Sequence, residues 1–232
     1  MKSIIILTLF AAALSSDIIM VGDSRTYLLA QYLFPIFQGN YPAITTTDPV
    51  TYGKHNVRFD CMPGARINDF LSGQVLGNFL EALIQQASPW SYVFLWVGVN
   101  NVAEQDSLVL TFHRYLFLAQ KYPLINFIVF SLPGVNEQLL AGHHNANNQL
   151  IINYNNFMKL ALNTYKVPNL RYANFMNEND PTFTIDGHDI RPYLDEIGLH
   201  FNAVACKYFF DKCFNFFQII KIILFFIFYW WW

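Results

Sequence analysis

Four short stretches of the chain carry the residue types that an acyl-transfer site requires. Ser24 ends the tripeptide Gly22-Asp23-Ser24 after a short apolar run, and Gly64, Asn100 and His200 follow along the chain. A serine hydroxyl becomes a nucleophile when a neighbouring base accepts its proton, and histidine is the side chain that most often does so. Backbone N–H groups at a glycine or a helix start, and an asparagine amide, can hold the developing oxyanion. These residue types predict Ser24 as the nucleophile and His200 as the base. The Ser24 N–H, the Gly64 N–H and the Asn100 amide form the expected oxyanion hole.

Each of these residues also has an ordinary structural use. Ser24 could be a helix N-cap, Asn100 a loop residue and His200 a residue at a helix start. Arg25, directly after the serine, could bind an anionic group of the substrate or form a surface ion pair. Because the members of the set stand after strand-like runs or at helix starts, we favour their catalytic interpretation.

Two other histidine-bearing stretches are weaker candidates. Asp186-Gly187-His188 places an acid close to an imidazole but has no helix start behind it. His143-His144 lies in an Asn-rich stretch without a carboxylate or cysteine at metal-ligand spacing, so we interpret it as a solvated loop pair. No other Cys/His spacing is typical of a metal site, and we expect neither a metal nor another cofactor.

The elements that must position these residues alternate along the chain. Apolar runs typical of buried strands alternate with stretches that carry apolar residues at three-to-four spacing, which is typical of helices. The predicted strands are Asp17–Val21, Val57–Cys61, Tyr92–Val97, Ile125–Ser131 and Leu170–Phe175. The predicted helices are Tyr27–Phe37, Val75–Ala87, Ser107–Lys121 and residues 146–165. This alternation predicts an α/β fold whose parallel sheet, of about five strands, is covered on both faces.

The loops after the first three predicted strands are the expected place of the site. Ligands of open parallel sheets bind at the carboxyl ends of the strands. Ser24, Gly64 and Gly98–Asn100 each follow a predicted strand, which places them at one edge of the sheet. Longer loops are predicted at Gln38–Asn56, Pro133–Asn148 and Asn177–Leu194.

These residues resemble the sequence blocks of the SGNH or GDSL-type hydrolases. The matching segments are Gly22-Asp23-Ser24-Arg25, Gly64, Gly98-Val99-Asn100-Asn101 and Gly198-Leu199-His200-Phe201-Asn202. They follow the family's order over residues 17–205. The resemblance implies a flavodoxin-like, three-layer α/β/α domain and metal-free hydrolysis of acyl or acetyl esters on carbohydrates or lipids. It also implies the nucleophile, base and oxyanion donors that the residue types predict.

Two positions depart from the family's pattern. Asn101 stands where the family has aspartate, which we expect to be tolerated because the preceding asparagine is the oxyanion donor. Ile197 stands three residues before His200, where the family has the acid that orients the imidazole. Asp195 and Glu196 lie five and four residues before the histidine. A shifted loop would let either carboxylate reach the imidazole; otherwise a backbone carbonyl orients it and a Ser-His dyad remains, or the enzyme is impaired.

The composition limits the partners of the protein. The 232-residue chain has a formal net charge of −2 and only 13% charged residues, and it lacks the basic cluster that phosphate binding needs. We therefore expect a small-molecule, glycan or lipid ester as partner and no nucleic acid. Cys61, Cys206 and Cys213 could form one disulfide in an oxidising compartment, and the sequence leaves the pairing open.

Both ends of the chain are apolar. Residues 1–16 combine a positive start, an apolar core at Ile4–Leu14 and small residues after it, which is typical of a signal peptide; a buried element of the fold is the alternative. Residues 214–232 are almost entirely apolar, contain Lys221 and end in tryptophans. They fit a membrane anchor or, equally, a last helix followed by a non-selected tail. We expect a domain at 17–213 that is secreted or lumenal, and membrane-tethered if the tail is an anchor.

The sequence leaves three functional hypotheses. The first is a serine esterase that hydrolyses carboxylic esters through an acyl-enzyme. The second is a catalytically weak or inactive homologue that binds glycans or lipids in the same cleft, motivated by Ile197 and by the Phe/Tyr-rich loops. The third, a membrane-associated structural protein, rests on the apolar tail alone. The position of an acid beside His200 discriminates the first hypothesis from the second.

Overall fold

The computed structural model describes most of the predicted domain. It covers residues 17–53, 55–142, 144–176, 184–185 and 188–214. The predicted signal peptide and the apolar tail beyond residue 214 lie outside the described residues. Within the described ranges, no helix combines the length and the hydrophobicity that a membrane span would need.

Seven strands form one central sheet. They are β1 (Asp17–Gly22), β2 (Ile44–Thr45), β3 (Val50–Tyr52), β4 (His55–Cys61), β5 (Tyr92–Trp96), β6 (Asn126–Phe130) and β7 (Leu170–Ala173). Five of them are parallel and lie in the order β4-β1-β5-β6-β7, which is the flavodoxin-like order. The short β2 and β3 pair with β4 in antiparallel direction. A separate hairpin joins β8 (Thr184–Ile185) to β9 (His188–Asp189).

The predicted fold class is confirmed, although the sheet has seven strands rather than five. The five parallel strands are those that the apolar runs predict. The other two lie in the stretch 38–56, which the sequence predicts as a loop. That prediction is wrong because strands of two and three residues at an edge are too short to give an alternating or continuous apolar pattern.

Seven helices connect and cover the strands in the ranges that the structure describes. They are α1 (Ser24–Leu33), α2 (Val75–Gln86), α3 (Val99–Ala103), α4 (Leu108–Lys121), α5 (Glu137–Leu140), α6 (Asn148–Tyr165) and α7, whose described part is 203–214. Short 3-10 turns occur at Pro35–Phe37, Ile67–Phe70 and Arg191–Tyr193. The first helix begins three residues earlier than predicted, at the serine itself, and Pro35 ends it because the residue before a proline avoids the helical conformation.

One face of the sheet packs against α1 and α7. Phe59 of β4 contacts Phe34 at the end of α1, and Phe34 in turn contacts Phe210 of α7. Trp96 of β5 stacks on Phe209 of α7, with 3.7 Å between the ring centroids. These aromatic side chains are almost fully buried, so they form the core of this layer.

The other face packs against α2, α4 and α6. Tyr115 of α4 donates a hydrogen bond of 2.7 Å to the carbonyl of Val97, and its hydroxyl lies 2.8 Å from that of Tyr154 in α6. Both tyrosines are fully buried, so their hydroxyl groups need these partners. The two helices are thereby fixed to the carboxyl end of β5, and the molecule has the three predicted layers.

The carboxyl ends of β1, β4 and β5 lie side by side. Gly22 is the register partner of Cys61 on one side and of Trp96 on the other. A Cβ atom at Gly22 would lie 1.9 Å from Oγ1 of Thr26 and 2.5 Å from the Trp96 carbonyl. Only glycine therefore allows α1 to start so close to the sheet, and the loops after the three strands begin at one edge.

Candidate active site

Ser24 occupies the first turn of α1 with its hydroxyl free of any capping role. The side chain of Asp23, not that of Ser24, caps the helix by accepting a hydrogen bond of 3.0 Å from the Arg25 N–H. The N-cap alternative for Ser24 is therefore wrong. Burial of Asp23 raises the pKa of its carboxyl, and the positive charge of Arg25 partly opposes this. The cap leaves Oγ of Ser24 available for His200.

A continuous chain of hydrogen bonds joins Ser24, His200 and Asp195. Oγ of Ser24 lies 2.9 Å from Nε2 of His200, and Nδ1 of His200 lies 2.8 Å from Oδ2 of Asp195. These distances suit proton transfer along the chain. Glu196, the other candidate acid, is exposed. Of the two carboxylates that the sequence offered, the structure places Asp195 beside the imidazole.

The loop from Asp195 to His200 explains how an acid five residues away reaches the imidazole. Oδ1 of Asp195 accepts hydrogen bonds from the N–H groups of Leu199 and His200, at 3.0 and 3.1 Å. The Asp195 N–H donates to the His200 carbonyl at 2.7 Å, so the chain folds back on itself. Gly198 allows the turn, because its φ is +71° and a Cβ there would lie 2.7 Å from Cβ of Asn136. The Asp-x-x-His spacing of the family is replaced here by a longer turn.

Arg25 is a buried support of this loop. Its Nε donates a hydrogen bond of 3.2 Å to the Leu199 carbonyl, and its Nη1 donates one of 3.1 Å to the Pro133 carbonyl. Only 1% of its surface is exposed. The surface ion pair that the sequence offered for Arg25 is therefore wrong, while its contact with an anionic substrate group stays a prediction. Burial lowers its pKa to about 10, so it stays charged near neutral pH.

The three predicted oxyanion donors lie in the segments that follow three neighbouring strands: Ser24 begins α1, Gly64 lies in the loop after β4 and Asn100 lies in α3. Within the part of the chain that the structure describes, the N–H groups of Ser24 and Gly64 donate to no acceptor. Nδ2 of Asn100 donates one hydrogen bond, of 3.0 Å, to the Ala65 carbonyl. An amide nitrogen carries two hydrogens, so the other remains for a ligand.

Asn101 connects the two loops of the oxyanion side. It is 1% exposed; its Oδ1 accepts a hydrogen bond of 3.2 Å from the Ile67 N–H, and its Nδ2 donates one of 2.8 Å to Oδ2 of Asp106. Arg114 and Arg66 pair with the same carboxylate, at 3.4 and 3.9 Å. An aspartate at position 101 would face Asp106 as a like charge. Asn101, which replaces the family's aspartate, is thus suited to Asp106 because its amide can donate a hydrogen bond to that carboxylate.

His144 is a site residue that the sequence interpretation missed. It is half-buried, and its Nε2 lies 3.1 Å from Oδ1 of Asn100. Interpreting it as one of a solvated pair is therefore wrong for His144, while His143 lies outside the described residues. The sequence contains no signal for this contact, because the two residues are 44 positions apart and belong to different segments, Asn100 to α3 and His144 to the stretch after α5.

The other histidine, metal and cysteine candidates of the sequence do not join the Ser24 site in the described part of the chain. His188 is exposed and its ring contacts that of Tyr208, whereas Asp186 and Gly187 are not among the described residues. Considering the described ranges only, no group of three or more His, Cys, Asp or Glu is placed to hold a metal ion. All three cysteines are buried free thiols, so the disulfide that the sequence allowed is not formed.

Comparison with known proteins identifies the fold. No family model and no curated protein matches the sequence. A GDSL-like lipase from Bacteroides thetaiotaomicron has a similar structure, with a TM-score of 0.51 and 15% identity over 88% of this chain and 92% of that chain. A lipase/acylhydrolase from Enterococcus faecalis gives a TM-score of 0.50 and 13% identity over 84% and 91%. The chain has the SGNH/GDSL hydrolase fold. The fold that the resemblance implies is therefore confirmed.

Proposed function

We propose that this SGNH/GDSL-fold protein is a serine esterase that hydrolyses carboxylic esters through an acyl-enzyme. The observation that carries the proposal is the hydrogen-bonded chain from Ser24 through His200 to Asp195, with distances of 2.9 and 2.8 Å. A nucleophile, a base and an acid that orients the base are the arrangement that activates a serine hydroxyl. The free N–H groups of Ser24 and Gly64 beside this chain supply a place for the oxyanion.

The first half of the reaction forms the acyl-enzyme. Oγ of Ser24 attacks the carbonyl carbon of the ester while its proton passes to Nε2 of His200. The carbonyl oxygen becomes an oxyanion, which the oxyanion donors bind. The tetrahedral intermediate then expels the alkoxide, and His200 returns the proton to its oxygen, so that the alcohol leaves. Asp195 accepts the Nδ1–H throughout and stabilises the imidazolium.

The second half of the reaction hydrolyses the acyl-enzyme and restores the free Ser24 hydroxyl. A water molecule gives a proton to Nε2 of His200 and attacks the acyl carbon, and a second oxyanion forms in the same place. Its collapse breaks the bond to Oγ of Ser24, which takes the proton back from His200. The carboxylic acid leaves, and the enzyme is ready for another ester. Each step uses side chains and backbone N–H groups of the described residues, together with water.

The fold and the site chemistry support a proposal for the substrate class. We propose an acyl or acetyl ester of a small molecule, glycan or lipid. The similar structures from Bacteroides thetaiotaomicron and Enterococcus faecalis are named a lipase and a lipase/acylhydrolase, which is consistent with this class. Secretion through the predicted signal peptide, and membrane association through the apolar tail, remain parts of the proposal.

The inactive binding protein is the less favoured alternative. Its motivation was Ile197 in the position of the acid, and the contact between Asp195 and His200 supplies an acid from elsewhere in the same loop. Ligand binding that survives Ser24→Ala, together with a wild-type protein that resists covalent labelling by a fluorophosphonate, would favour this alternative.

Replacement of the nucleophile tests the proposal. We expect Ser24→Ala to lower the turnover of p-nitrophenyl acetate by at least about 10³-fold and to abolish labelling by a fluorophosphonate probe. Ser88→Ala is the matched control, because Ser88 is exposed before β5; it should keep both properties. A wild-type protein that turns over the ester no faster than Ser24→Ala would contradict the proposal.

A further inference from the structure

The carboxamide of Asn100 is held at both of its ends. Its Nδ2 donates to the Ala65 carbonyl at 3.0 Å, and its Oδ1 lies 3.1 Å from Nε2 of His144. An amide donates only through nitrogen and accepts only through oxygen. The two contacts together therefore define which end of the group faces His144 and leave one N–H for the oxyanion.

The backbone next to His144 determines which ring nitrogen carries its proton. The N–H of Ala146 donates a hydrogen bond of 3.2 Å to Nδ1 of His144. A nitrogen that accepts a hydrogen bond carries no proton, so in the neutral ring the proton is on Nε2. That N–H points at Oδ1 of Asn100 and completes the chain from Ala146 to the oxyanion donor.

The surroundings of His144 favour its neutral form. Burial lowers the pKa of the imidazole, and the positive charges of Arg25 and His200 lower it further; the carboxylate of Glu104 acts in the opposite direction. At neutral pH the ring is therefore uncharged and the Nε2–H tautomer is the one that the Ala146 N–H selects.

We propose that His144 is a positioning residue of the oxyanion hole, which orients and polarises the Asn100 amide by donating from Nε2 to Oδ1. A hydrogen bond to the oxygen of an amide withdraws electrons from its nitrogen and strengthens the N–H as a donor. His144 thus acts through Asn100 and touches no reacting atom. This inference rests on the proposed esterase function, since it assigns the oxyanion role to the same Asn100.

Three variants test the positioning role by steady-state kinetics with p-nitrophenyl acetate. His144→Ala should lower kcat by about tenfold and leave KM nearly unchanged, because loss of a whole oxyanion donor costs about 10²–10³ in kcat and this change only weakens one. His144→Gln should keep most of kcat, because its amide can donate to Asn100 and accept from the Ala146 N–H. His113→Ala is the matched control, since His113 is exposed on α4, and should behave as the wild type.

The ¹⁵N spectrum of the full chain tests the tautomer without reference to catalysis. We expect His144 to show a protonated Nε2 and an unprotonated Nδ1 at neutral pH. A proton on Nδ1, an unchanged kcat in His144→Ala, or an equal loss of kcat in His144→Gln and His144→Ala would each overturn the inference. A wild-type protein that fails to turn over esters or to react with a fluorophosphonate contradicts the proposed function instead, and the spectrum then still decides the tautomer.

Discussion

The two halves of the candidate site are built in different ways. On the acid side, one turn from Asp195 to His200 is held by backbone N–H groups that bond to the Asp195 carboxylate. On the oxyanion side, side chains from separate segments meet, with Asn101 and Asp106 at the centre. The local turn tolerates two residues more between Asp195 and His200 than the family's spacing has. The network around Asn101 and Asp106 joins separate segments and therefore needs matched charges.

Asp195 on the acid side and Asp60 on the oxyanion side differ in how far their carboxylate oxygens are hydrogen-bonded. Asp195 is half-buried, and its oxygens accept from two backbone N–H groups and from the imidazole of His200. Asp60, in β4 just before the Gly64 loop, is fully buried, and neither of its oxygens has a hydrogen-bond partner among the described residues. Burial raises the pKa of Asp60 to about 8. Asp195 on the acid side thus accepts the imidazole N–H of His200, whereas Asp60 on the oxyanion side is a neutral carboxylic acid below about pH 8.

The largest expected effect is on the acid side. Asp195→Asn should lower kcat by about 10³–10⁴-fold, because the amide no longer holds the Nδ1–H tautomer of His200. Steady-state hydrolysis of p-nitrophenyl acetate measures it. Glu196→Gln is the control, since Glu196 is exposed beside it, and should leave kcat nearly unchanged. An equal loss in both variants would show that the two acids share the role.

A smaller effect, on stability, is expected from a like charge on the oxyanion side. Asn101→Asp should lower the free energy of unfolding by about 2–4 kcal/mol, because a buried carboxylate would then face Asp106 as a like charge and the hydrogen bond that the Asn101 amide donates would be lost. Urea unfolding monitored by tryptophan fluorescence measures it.

The reversed pair is the control for that change. Asn101→Asp combined with Asp106→Asn restores one carboxylate and one amide, and we expect it to recover most of the lost stability. A double variant as unstable as the single one would mean that the orientation of the pair, and not its charge, holds the two loops.

The smallest expected effect concerns Asp60 and depends on pH. Its pKa in the folded protein, about 8, exceeds the ordinary value of 3.8, so the folded state keeps a proton that the unfolded chain loses. The free energy of unfolding should therefore fall as pH rises from about 4 to about 8. Asp60→Asn should remove this slope, because an amide does not titrate, and the variant should lose less stability than the wild type between about pH 4 and about pH 8. Urea unfolding at several pH values measures both, and parallel pH profiles of variant and wild type would contradict the assignment.

Much of the fold was predictable because its signals are local. Three of the five parallel strands, β1, β5 and β6, are nearly continuous apolar runs, since both faces of the sheet are covered. β4 and β7 keep shorter apolar stretches that polar residues such as Arg58 and Arg171 interrupt. The run at Leu170–Ala173 needed no knowledge of its partner β6 to be recognised. The edge strands β2 and β3 were missed because so few residues, paired only with β4, leave no periodic pattern.

Part of the site was predictable for a related reason. Ser24, Gly64 and Asn100 each follow a strand directly, so the sheet brings them to one edge once the strand order is given. The choice between Asp195 and Glu196 was not predictable, because it depends on the turn that Gly198 and Asn136 allow. The contact of His144 was missed altogether, since it joins two segments that are distant along the chain.

Local sequence patterns were enough to predict the α/β alternation, the serine between the first strand and the first helix, and the order of the blocks that end at His200. These properties depend on neighbours along the chain, where hydrophobic spacing and glycine positions act directly. Only the tertiary structure decided that Asp195 meets the imidazole, that Arg25 is buried under the loop, and that His144 holds the Asn100 amide. Those contacts depend on how separate segments approach one another, and that geometry results from packing of the whole domain.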